Sequence, residues 1–129
     1  MRIKELKLYT KHLKAQREFY SKTLGFQVLE SGPSHFSVQI GWSLFTFAES
    51  QKTHDYHFCF LIPCNSLDSA LEWMEKRITL ILSPDGQKTH RFESWDADSF
   101  YFYDAGGNVV EFIVRHQLHN TIDVYFEVT

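Results

Sequence analysis

The order of elements along this chain repeats, and the repeat restricts the fold more than any other feature of the sequence. RIKELKLYT, residues 2–10, alternates as a strand with Leu6 and Leu8 on one face and Ile3, Glu5, Lys7 and Tyr9 on the other. Residues 13–24 read as a helix, with Ala15, Phe19 and Thr23 beside Gln16, Tyr20 and Leu24 at four-residue spacing. Gly25 closes it. Three short strands follow at 26–30, His35–Ile40 and Ser43–Glu49, separated by SGPS and GW. The second half runs the same way. Residues 56–62 form a strand. A helix capped by Asn65 or Ser66 then carries Leu67, Ala70, Leu71, Met74 and Ile78 on one side. Three strand-like runs follow at 79–82, 99–103 and 108–115. The sequence therefore predicts an α+β chain of two tandem βαβββ modules, about 1–50 and about 55–115, joined by SQKTHD and followed by a tail at 116–129.

Aligning the copies sharpens this reading. GWSLFT (41–46) matches GGNVVE (106–111), so Thr46 corresponds to Glu111, and Glu5 in the first strand corresponds to His57 in HFCFLI. The second copy is longer, and its excess falls in the polar SPDGQKTHRFESWDAD. One residue stands out. In VVEFIV (109–114), Glu111 interrupts a strand that is otherwise apolar on both faces.

Composition excludes several classes. A chain of 129 residues with 43% hydrophobic content buries a real core, and a net charge of −3 provides no basic field for nucleic acid. No apolar run approaches the roughly 20 residues that span a bilayer, and MRIKELKLY shows no signal-peptide core, so the expected location is cytoplasmic. The two cysteines, Cys59 and Cys64, lack the spacing of a zinc or redox pair.

The duplication, the LKAQREFYSKTLGF segment and the DSFYFYDAGGNVVEF ending resemble the vicinal oxygen chelate superfamily, which includes glyoxalase I, fosfomycin- and bleomycin-resistance proteins and extradiol dioxygenases. The resemblance covers about residues 2–115. It implies that each module curls its sheet into a half-cup and that paired half-cups enclose a substrate. It also implies metal ligands on the first and last strands of a module: here Glu5, where the family usually has His, together with His57 and Glu111, with Thr46 at the fourth position. Glu5 and Thr46 both depart from the glyoxalase I pattern. Two carboxylates and one imidazole suit Mn²⁺, Mg²⁺ or Fe²⁺ at least as well as Zn²⁺. Such an ion acts as a Lewis acid on a bound oxygen.

Strand parity adds Lys7, Tyr9, Cys59, Leu61, Ser99 and Tyr101 to the inner face. Ser99 and Tyr101 match residues near the ligand in fosfomycin-resistance enzymes, and Arg91 falls near a basic position of those proteins. The expected site thus has Glu111, Lys7 and Tyr101 as catalytic groups, and Tyr9, Cys59, Arg91, Trp95, Ser99 and Tyr101 against the substrate. The competing reading pairs Glu111 with Lys7 or Arg91 in a metal-free pocket, with His57 a rim histidine and Glu5 a solvated charge. His90 is notable because it lies in the insertion.

Two function classes follow. One is a small-molecule enzyme that uses a divalent metal to chelate adjacent oxygens of its substrate, as a lyase or isomerase or as a transferase. The other is a metal-free protein that sequesters an aromatic or drug-like ligand, for which 12 Phe, 6 Tyr and 3 Trp are equally suitable. A catalytically inert interaction module is a third. Open sheet edges and family habit lead us to expect a homodimer in which Glu5 of one subunit joins His57 and Glu111 of the other. Residues 84–98 are expected to form a mobile flap carrying Lys88, His90, Arg91 and Trp95, and the alternating IDVYFEV of the tail is expected to dock as a strand.

Overall fold

The structure is a computed structural model and describes residues 4–41 and 43–118. The tail strand expected at 120–129 lies outside the described residues.

In the first copy, β1 (Glu5–Thr10) leads through α1 (Leu13–Glu18) to β2 (Gln27–Ser31), β3 (His35–Ile40) and β4 (Ser43–Glu49). These strands form one sheet in the order β1-β4-β3-β2. β1 runs parallel to β4, with Lys7 opposite Thr46, and β3 runs antiparallel to β4, with Ser37 opposite Thr46. The helix departs from expectation at its end. After Glu18 it widens into one π-helical turn, Phe19–Thr23, in which the Leu24 amide bonds to the Phe19 carbonyl at 2.9 Å. Gln16, Tyr20 and Leu24 stay buried along it, and Gly25 ends it in the left-handed region at φ 77°.

The second copy repeats the plan with β5 (His57–Leu61), α2 (Leu67–Glu75), β6 (Leu80–Ile81), β7 (His90–Phe92), β8 (Ala97–Tyr103) and β9 (Val109–Arg115). Its sheet has the order β5-β9-β8-β6, with β7 also paired to β8. β5 is parallel to β9, and Cys59 faces Glu111 across that pair.

The insertion differs from the expected flap. Ile81 pairs with Tyr101 and His90 with Ser99, so β6 and β7 share one edge of β8, and only the segment between them loops out. The remainder, at 90–98, is a strand, a single 3₁₀ turn at Glu93–Trp95 and a return through Asp96 at φ 47°. Backbone pairing to β8 gives this half of the insertion a fixed place on the sheet.

Two compact units result. Among the described residues, the first comprises residues 4–55 together with Asp104–Gly107; the second comprises Tyr56–Tyr103 and residues 108–118. The first is cored by Leu8, Leu13, Phe26, Phe36, Val38, Phe45 and Phe47 around Tyr20, whose ring centroid lies 5.5 Å from those of both Phe45 and Phe47. A fully buried phenol requires a hydrogen-bond partner, and Tyr20 Oη donates to Asp104 Oδ2 at 2.8 Å. Asp104 Oδ1 accepts the Gly106 amide at 3.0 Å, which shapes the DAGG turn. Gly106 packs closely on the helix: a Cβ there would sit 2.5 Å from Gln16 Nε2, so the buried Gln16 side chain would have to move. The second unit is cored by Ala70, Met74, Phe100, Phe102, Val110, Phe112 and Val114. These even-numbered strand residues leave the odd-numbered set on the other face of the sheet.

Burial, followed by the Asp104 charge and hydrogen bond, pushes the Tyr20 phenol well above its ordinary value of 10.0. A folded-state value above the unfolded one contributes stability that is complete below about pH 10 and is lost as pH rises toward the folded value. Tyr20→Phe should therefore lower unfolding free energy by about 1–2 kcal/mol at neutral pH in urea titrations. Its loss of stability above pH 10 should be shallower than that of the wild type.

Candidate functional site

The site builds from two neighbouring strands of the second sheet. β5 and β9 lie side by side in parallel, so His57 and Cys59 on one and Glu111 on the other project from the same face. β8 adds Tyr101, directly across from Glu111 on its other side. Glu111 is only 7% exposed, whereas His57 and Cys59 are exposed. A carboxylate so far from solvent needs partners. His57 Nε2 supplies one, donating to Glu111 Oε1 at 3.0 Å, so a proton on Nε2 lies between the imidazole nitrogen and the accepting carboxylate oxygen.

Aromatic contacts extend the cluster. The Tyr101 ring stands 5.8 Å from the His57 ring on one side and 4.7 Å, edge-on, from the His90 ring on the other. Burial and the nearby Glu111 carboxylate push the Tyr101 phenol upward. Burial, and then Glu111, pushes the Cys59 thiol up from 9.0 to about 12, so it stays protonated and unreactive at neutral pH. Ser99 shares this face, fully buried between His90 and Ile113.

The first sheet carries the corresponding positions with different chemistry. Glu5, Lys7 and Tyr9 project from β1 on its open face. Thr46 takes the place of Glu111, and Ser37 that of Tyr101. Both are buried, and their hydroxyls are hydrogen bonded to each other at 2.7 Å. Tyr9 is 42% exposed and lies 5.8 Å from the His54 ring.

Of the residues expected at the site, the structure gathers His57, Cys59, Tyr101 and Glu111 in one cluster and places Glu5, Lys7 and Tyr9 together on the first sheet. Among the described residues, no group of three or more His, Cys, Asp or Glu side chains is placed to hold one ion. The expected pairing of Glu111 with Arg91 is corrected. Arg91 lies opposite Asp98, on the other side of β8 from Tyr101, and is held by Asp96 at 2.7 Å, Asp98 at 3.1 Å and Glu93 at 3.3 Å. Those bonds also hold the Asp96 carboxyl below its ordinary value. Within the second unit the ion-pair partner of Glu111 is His57. Trp95 is 60% exposed and stacks on Phe92 at 5.9 Å. The insertion contributes His90 to the cluster. The sequence signal for this was the odd spacing of His90 within a short β-like run, HRF, which its polar surroundings concealed.

The chain belongs to the Glyoxalase/Bleomycin resistance protein/Dioxygenase superfamily, whose family model matches residues 2–112. Its fold is shared with solved structures. A lactoylglutathione lyase from Agrobacterium tumefaciens superposes with a TM-score of 0.71 at 21% identity, covering 92% of this chain and 96% of that one. A glyoxalase/bleomycin resistance protein/dioxygenase from Alicyclobacillus acidocaldarius gives 0.72 at 17% identity, covering 91% and 96%. The oxidase ChaP-H2 gives 0.66 at 18% identity, covering 89% and 94%. No functionally curated protein matches the chain in sequence. Among the described residues, no helix is long and apolar enough to cross a membrane.

The Cys59–Glu111 coupling is directly measurable. Glu111→Gln removes the negative charge but keeps the burial, so the Cys59 titration seen by iodoacetamide rate against pH should move down from about 12 while staying above 9.0. Peptide mapping separates this signal from Cys64.

Proposed function

We propose that the protein is a metal-dependent small-molecule enzyme of this superfamily, with His57 and Glu111 as two ligands of a divalent ion. The observation that carries this reading is the carboxylate of Glu111, buried in the open face of a sheet with an imidazole nitrogen 3.0 Å away. Oxygen and nitrogen donors so disposed fit Mn²⁺, Fe²⁺, Zn²⁺ or Mg²⁺. Glu5 of the partner subunit is the third ligand in a homodimer, because Glu5 is exposed at the position on the first sheet that His57 occupies on the second.

When bound, the ion supplies Lewis acidity to adjacent substrate oxygens. The chain's own groups do the rest. To act as a ligand, His57 would present Nε2 without a proton, as the neutral ring does when its proton is on Nδ1. Tyr101 holds its proton beside Glu111 and presents a hydroxyl to the substrate. Cys59, exposed on the same face, lines the surface against which the substrate rests, and Tyr9 of the partner subunit contributes from the first sheet. The reaction is a lyase or isomerase step or a group transfer, in the cytoplasm.

One observation favours a second reading. The His57–Glu111 bond already satisfies the buried carboxylate without an ion, as a metal-free protein that sequesters an aromatic ligand would require. Thermal unfolding with each ion decides between them. On the metal reading, Mn²⁺, Fe²⁺ or Zn²⁺ at about 100 times its Kd stabilises the wild type by about 2.7 kcal/mol, and His57→Ala, Glu111→Ala and Glu5→Ala each reduce metal occupancy. Glu5→His moves the preference toward Zn²⁺. Absence of a shift with any ion selects the binding protein, and light scattering showing a monomer removes the shared site.

A further inference from the structure

The first sheet carries a cluster that the metal reading leaves unused: Lys7, Ser37 and Thr46. β1 pairs with β4 so that Lys7 lies directly across from Thr46, and β3 pairs with β4 so that Ser37 lies across from Thr46 on the other side. The three side chains therefore form a row on one face. Ser37 is 1% exposed and Thr46 5%. Their hydroxyls share a single 2.7 Å hydrogen bond, which uses one of the two hydroxyl protons. The second proton has no acceptor given by that bond. Lys7 is exposed and forms no ion pair among the described residues, Glu5 on the same strand included. Its ammonium lies 5.9 Å from the Tyr9 ring centroid.

The row therefore offers one unspent hydroxyl proton beside an ammonium that has no carboxylate partner among the described residues. The matching row on the second sheet, Cys59, Glu111 and Tyr101, has the opposite bias, since it centres on a carboxylate. The duplication has thus produced one acceptor-rich and one donor-rich face from the same register.

We infer that Lys7, Thr46 and Ser37 form a binding site for an oxyanion, a carboxylate or phosphate group on a small-molecule ligand. Lys7 supplies the charge, and the Ser37–Thr46 pair donates its remaining proton to an anion oxygen. Charge-assisted bonds of this kind are the strongest that these groups make. The inference deepens the substrate-site reading of the open face and rests on it, but it requires no metal.

Amide NMR of the full-length chain, titrated in parallel with inorganic phosphate, acetate and sodium chloride at matched ionic strength, tests the inference. Saturable shifts at Lys7, Ser37 and Thr46 are expected with phosphate or acetate and not with chloride. Tighter binding of phosphate assigns a phosphoryl ligand, and tighter binding of acetate a carboxylate. Lys7→Met, an exposed change that spares the core, should weaken binding about tenfold. Thr46→Val should weaken it as well, whereas Lys22→Met should leave it unchanged. Absence of saturable shifts, shifts equal to those with chloride, or unchanged affinity in Lys7→Met overturns the site. A positive phosphate or acetate titration alongside a failed metal titration overturns the metal reading alone; the reverse pattern overturns the oxyanion site alone.

Discussion

Pairing of the first strand of each module with its last, in parallel, is the constraint on which both candidate sites depend. β1 meets β4 and β5 meets β9, although the partners are separated by a helix and two or more strands. A parallel pair cannot be closed by a tight turn, so the intervening chain must travel over the sheet as a crossover. The helix supplies that crossover, and its buried side covers one face of the sheet. Strand alternation then leaves the other face uncovered, with residues from both ends of the module side by side on it. His57 and Glu111 share a hydrogen bond for this reason.

The two copies have kept this geometry and exchanged its chemistry. Thr46 and Ser37 stand where the second copy has Glu111 and Tyr101, and Lys7 stands in place of Cys59. The changes are mutually consistent. Where a buried carboxylate remains, an imidazole donor accompanies it. Where the carboxylate is lost, two hydroxyls bond each other. A half-changed set would strand a buried polar group at a cost of about 1–3 kcal/mol.

The DAGG turn shows a similar economy. A single aspartate, Asp104, accepts from the buried Tyr20 phenol and from the Gly106 amide, so one side chain both satisfies the core of the first unit and sets the path of the turn. At Gly106 the Gln16 amide fills the space that a side chain would take. The YDAGGN segment, which joins β8 to β9, therefore also carries packing information for a helix that begins more than eighty residues earlier in the chain.

The sequence by itself determined the duplication, the order of elements and the faces of the long strands, because these are local: a period of two or of about four residues is written in the residue types themselves. His35–Ile40 and Ser43–Glu49 fall where alternation puts them, and the odd-numbered face of β9 was identifiable from one misplaced carboxylate. Partnership was not legible. Arg91 and Glu111 carry opposite charges, yet β7 docks on β8 in a register that turns Arg91 toward Asp96 and Asp98 and His90 toward Tyr101. A shift of one residue along a strand exchanges the two faces, and that register is set by backbone pairing between segments with weak patterns of their own. Tertiary structure alone therefore decided that His90 joins Tyr101, that Glu111 pairs with His57 and not with Arg91, and that Lys7 has no carboxylate partner among the described residues.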